Sequence, residues 1–66
     1  MNYMIKLTGC RVEGRSVDGE YEGGATIADA RKEAEFFVEH CPTGRISIVR
    51  PIMQGDALSH VETVRA

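Results

Sequence analysis

The first dozen residues alternate. Tyr3, Ile5 and Leu7 fall on one side of an extended chain, and Met4, Lys6, Thr8 and Cys10 fall on the other, so a strand is predicted over 2–12. Glu13, Gly14, Arg15 and Ser16 supply a turn, and 17–25 predicts a returning strand. That second strand is weakened by Gly19, Gly23 and Gly24, with only Val17, Tyr21 and Ala25 offering side chains to one face. A twisted or bulged edge strand is expected there. The period then changes from two to three and four. Ile27, Ala30, Ala34, Phe37 and Cys41 make one apolar stripe, which predicts a helix over 26–40. Thr26 followed by Asp29 resembles a capping box with a shorter acid, and Pro42 with Gly44 stops the helix.

After the stop, 46–50 reads as a strand, with Ile46, Ile48 and Ile52 on one face. Pro51 cannot donate to a ladder, so an edge position or a bulge is expected there. Gln54, Gly55 and Asp56 read as a turn. Residues 57–65 fit two patterns: Leu58, Val61 and Val64 match a helix, whereas Val61, Thr63 and Val64 after a glycine turn match a strand. β-Branched content and the adjacent turn favour the strand. The order strand, strand, helix, strand, strand predicts a single α+β domain over 1–66, two layers deep, with one helix on a small antiparallel sheet. Its expected core is Ile5, Leu7, Ile27, Ala30, Ala34, Phe37, Ile46 and Ile48. One helix covers one sheet face, so Met4, Val49 and Met53 are expected on the bare one, for a partner or a second copy of the chain to cover.

Composition narrows the class. Sixty-six residues with 42% apolar and 27% charged positions are ordinary for a small globular domain, and too few to enclose a large active-site cavity. No apolar run reaches the length of a membrane span, and no signal-peptide pattern is present, so a cytoplasmic protein is expected. Cys10 and Cys41 form no C-x-x-C pair, and two reduced, buried thiols are expected. The chain is acidic by two charges, which disfavours nucleic acid as a partner. The distribution matters more than the sum. Residues 13–39 hold eight acids against three bases, between weakly basic ends.

Catalytic and metal chemistry find no support. A metal site needs three or four converging ligands, and the neighbours His40 and Cys41 diverge by about 100° on a helix. Ser16, Ser47 and Ser59 stand in no recognised spacing with His40 or His60, so no enzyme and no cofactor is expected. Gly23 and Gly24 precede a helix N-terminus, but Glu20, Glu22 and Asp29 around them would repel a phosphate. What remains is the acidic set Glu13, Asp18, Glu20, Glu22, Glu33, Glu35 and Glu39. As a strand, 18–22 would carry Asp18, Glu20 and Glu22 on one face, opposite Val17 and Tyr21. Such a row either keeps an edge strand solvated or imitates backbone phosphates toward a basic protein. The rival cationic set, Lys6, Arg45, Arg50 and Arg65, is too sparse for a nucleic-acid footprint.

In size, charge asymmetry and layout the chain resembles small phage-encoded anti-CRISPR proteins that block type I surveillance complexes. The layout in question is the hairpin, then Thr26-Ile27-Ala28-Asp29-Ala30-Arg31-Lys32-Glu33-Ala34, then Gly44-Arg45-Ile46-Ser47-Ile48. That resemblance implies a stoichiometric inhibitor acting in the bacterial host cell. It would bind a Cas effector subunit through its acidic surface and block DNA recognition. A second likeness is to HicB-type antitoxin domains, where strands precede a helix with a similar Asp-Ala and Glu-Ala pattern. It implies an antitoxin-like or small nucleic-acid-binding regulatory module as the alternative.

Overall fold

The computed structural model describes residues 2–52 and 57–66. The elements run β1 Tyr3–Thr8, β2 Arg11–Val12, β3 Arg15–Ser16, β4 Gly19–Gly24, α1 Ile27–His40, β5 Arg45–Pro51 and β6 Leu58–Arg65. Four strands make one antiparallel sheet in the order β4-β1-β5-β6, while β2 and β3 pair separately as a small hairpin. The expected α+β domain is therefore present, with an added hairpin between its first two long strands. Residues 57–65 take the strand alternative. The expected turn at Gln54, Gly55 and Asp56, and Met53 before it, lie outside the described residues.

The first strand ends sooner than the alternation suggests. Gly9 adopts a left-handed φ of 72°, which breaks the period and turns Cys10 from the open face into the core, where it is fully buried. Beyond Arg11 and Val12, Glu13 and Gly14 at φ 52° and 78° form the tight turn of the β2–β3 hairpin. Positive φ at both turn positions matches the twist of the strands it joins. β4 lies at a sheet edge, and its register against β1 shifts between Tyr3 and Met4, as its glycines lead one to expect.

Helix α1 begins where the sequence caps it. The Thr26 hydroxyl accepts from the Asp29 amide at 3.1 Å, and the helix closes with Cys41 N–H donating to the Phe37 carbonyl at 2.8 Å. Ala30 and Ala34 are completely buried, their small side chains letting the helix lie close on Ile5, Leu7, Ile46 and Ile48. Ile27 and Phe37 are only half-buried at the margin of this core, and Cys10 and Cys41 join it. Tyr3 and Tyr21 also lie on the helix side. Tyr3 packs on the core, and Tyr21 sits 5.1 Å from Phe37 between ring centres.

β5 is an inner strand, so Pro51 is at neither a sheet edge nor a mid-strand bulge. It is the last residue of β5, paired with Leu58 but beyond Val49, where the β1 ladder ends. No β1 carbonyl waits there for the missing N–H. Ile52 follows the strand and is 46% exposed, so it leaves the face it was expected to share with Ile46 and Ile48.

Candidate interaction site

The sheet sorts the polar residues by strand parity. With Ile5, Leu7, Ile46 and Ile48 turned toward the helix, the alternate residues Met4, Lys6 and Thr8 of β1 face outward. Met4 pairs with Val49, Lys6 with Ser47 and Thr8 with Arg45 across β5. On the other side Met4 pairs with Glu22 and Lys6 with Glu20 of β4. The far side of β5 brings His60 beside Val49 and Thr63 beside Ser47. Met4 and Val49 thus lie on the face away from the helix, as expected, but Val49 is buried by its neighbours at 4% exposure and is not bare for a partner to cover.

That face is chemically divided. At the β4 margin stand Glu20 and Glu22, both exposed, with the Asn2 amide donating to Glu22. Behind the same margin Asp29, Lys32 and Glu33 of α1 join Glu22, Gly23 and Gly24 around a hollow of about 300 Å³. Three carboxylates and one ammonium line it, so the local charge is negative. Toward β6 the sign reverses. Lys6, Arg45 and His60 surround a second hollow of about 210 Å³, together with Thr8, Ser47, Val49 and Leu58. The Thr63 hydroxyl lies 2.8 Å from His60 Nε2 and 3.4 Å from Arg45 Nη2, drawing these two side chains together.

The seven expected acidic residues do not converge on one surface. Glu20 and Glu22 share the outer sheet face, and Glu33 stands near them on the helix. Glu13 is at the tip of the β2–β3 hairpin, while Glu35 and Glu39 are exposed on α1. Asp18 has a different task. Its carboxylate accepts from the Gly9 amide at 2.9 Å and the Cys10 amide at 2.7 Å, before β4 begins. These two bonds, the Gly9 bond first, hold its pKa below the ordinary aspartate value. Asp18 therefore ties down the turn that follows β1, and does not continue the row of Glu20 and Glu22.

The rival cations divide as well. Arg65 donates to the Gly44 carbonyl at 3.0 Å and the Thr43 carbonyl at 2.8 Å, fastening the loop after α1. Arg50 lies over the Tyr3 ring, its guanidinium carbon 5.2 Å from the ring centre. Only Lys6 and Arg45 of the four line the open-face hollow.

Sequence reasoning also missed a pairing. Arg31 forms a bidentate bridge to Glu62 of β6, at 2.8 and 3.2 Å. That hydrogen-bonded contact raises the Arg31 pKa and lowers that of Glu62. Only the helix-to-sheet packing brings the two together.

Cys10 and Cys41 are free and buried, and burial first, then the neighbouring Cys10, pushes the Cys41 thiol upward. No group of three or more His, Cys, Asp or Glu side chains suited to a metal ion occurs among the described residues. No described helix is long and apolar enough to cross a membrane. Comparison with protein-family models, curated proteins and solved structures gives no match to this chain.

Proposed function

We propose that this protein is a non-enzymatic binding protein whose acidic β4 margin meets a basic surface on a protein partner. The observation that carries the reading is the side-by-side placement of Glu20 and Glu22 on the outer face of an edge strand, with Asp29 and Glu33 lining the hollow behind it. Glu22, Asp29 and Glu33 have no cationic partner within 4.0 Å among the described residues, and neither does Glu20. Carboxylates held apart by a fixed strand and helix, and not neutralised internally, are available to an external cationic surface. Such complementarity governs on-rate and partner choice more than it adds raw affinity. The resemblance to anti-CRISPR proteins makes a type I CRISPR effector subunit the first partner to test, with its DNA-binding surface as the target.

The test mixes the protein with a purified type I effector complex before its target DNA is added. The reading predicts stoichiometric loss of DNA binding. It also predicts that Glu20→Lys with Glu22→Lys relieves the loss without unfolding the protein. Full DNA binding in the presence of excess wild-type protein removes the CRISPR partner from the proposal.

A further inference from the structure

We propose that the hollow on the opposite half of the open sheet face is a binding site for a small tetrahedral oxyanion, the phosphate group of a phosphate monoester. Three strands contribute to it. Lys6 comes from β1, Arg45 from β5 and His60 from β6, with the Thr8 and Ser47 hydroxyls between them. No carboxylate of the described residues lines the hollow. Glu20 is the cross-strand neighbour of Lys6 yet makes no ion pair with it, and the one ion pair among the described residues joins Arg31 to Glu62.

The donors are positioned but unspent. The Arg45 side chain makes one long bond, to Thr63, which leaves most of its five N–H donors without a partner among the described residues. The Thr63 hydroxyl holds the guanidinium beside His60, and so limits the freedom that binding would otherwise remove. Ser47 is only 6% exposed, and its hydroxyl opens into the hollow with no hydrogen-bond partner among the described residues. No buried side-chain oxygen among the described residues lacks a partner, so this hydroxyl is open to solvent and free to donate to a ligand in the hollow.

Size and geometry select the ligand. A hollow of about 210 Å³ lies below the ~300–1,000 Å³ of pockets that enclose drug-sized molecules, so it suits an anionic head group. A guanidinium fork, a point-charge ammonium and hydroxyls arriving from separate strands match several oxygens spread tetrahedrally, more than the two of a carboxylate. A nucleic-acid strand is a poorer match. Both tyrosines belong to the helix side, which leaves the His60 imidazole as the one aromatic ring among the described residues lining the hollow, too few for successive bases to stack on. Arg50 and Arg65 are engaged elsewhere.

The experiment titrates inorganic phosphate, then glycerol phosphate, into the isotopically labelled full chain at constant ionic strength and follows the amide resonances. Saturable shifts centred on Lys6, Thr8, Ser47 and His60, reversed by sulfate, are expected for both ligands. Lys6→Met and Arg45→Met should each weaken binding about tenfold or more, the loss of a charge-assisted hydrogen bond, with the remaining spectrum unchanged. Lys6→Arg should retain it. Because the Lys6 side chain is exposed, its variants carry the test even if the Arg45 variant is destabilised. Shifts that rise without saturation, or that centre on the start of α1, overturn the site. So does a short single-stranded oligonucleotide that binds more tightly than glycerol phosphate with a steep salt dependence, which would make the face a strand-binding surface.

Discussion

Asp18 and Gly44 show how much of this small fold depends on single residues outside its helix. Asp18 satisfies two backbone amides where β1 gives way to the hairpin, and those amides favour its charged form. Its folded pKa lies below the unfolded one, so its contribution is fully present above the ordinary aspartate value and fades as pH falls through the lower folded value. Asp18→Ala should therefore lower Tm at neutral pH, and the gap to wild type should narrow in strong acid. A gap independent of pH would show that the bonds do not depend on the carboxylate charge. Gly44 has φ 95°, and a Cβ built on it would stand 2.6 Å from the Gly9 carbonyl carbon and oxygen. Backbone cannot swing aside as a flexible side chain can. Gly44→Ala should cost at least about 2 kcal/mol, adding displaced backbone to the left-handed penalty of ~1–2 kcal/mol. Denaturant unfolding measures it, and a change within about 0.5 kcal/mol, typical of a neutral surface site, would contradict the contact.

At the scale of elements, the helix and the two inner strands were legible because periodicity and burial agree there. Ala30 and Ala34, with Ile5, Leu7, Ile46 and Ile48, are buried as their spacing predicts. Phe37, on the same stripe, ends at the core margin against Tyr21 and Phe36. Phe37→Ala should cost about 3 kcal/mol, the lower end for a buried phenylalanine because the ring keeps some exposure. Chemical denaturation measures this too, and a loss under about 1 kcal/mol would place the ring outside the cooperative core. What was not legible depends on contacts distant in sequence. Gly9 breaks an alternation that looked continuous, and the reason lies in Asp18 and Gly44. The open-face hollow likewise draws Lys6, Arg45 and His60 from three strands, and register alone brings them together. Glu20 and Glu22 share one face of β4 as their spacing predicts, but Asp18 is spent on backbone amides before the strand starts.

For the molecule as a whole, a single helix on one face leaves a sheet whose uncovered side is acidic at the β4 margin and cationic toward β6. The two signs lie on neighbouring strands and adjoin at the Glu20–Lys6 pair, held in register because β1 is hydrogen-bonded to both β4 and β5. A partner that engages Glu20 would therefore stand beside Lys6 at the rim of the hollow. The measurement that tests this account most directly compares what wild-type protein and its Glu20→Lys, Glu22→Lys variant capture from a bacterial lysate carrying a type I CRISPR system, at low and at raised salt. The account predicts a basic protein retained by wild type, released as salt screens the contact, and absent from the variant, while both proteins melt at the same temperature. The same captured proteins on both, in the same amounts, would contradict it and move the interface away from the acidic margin.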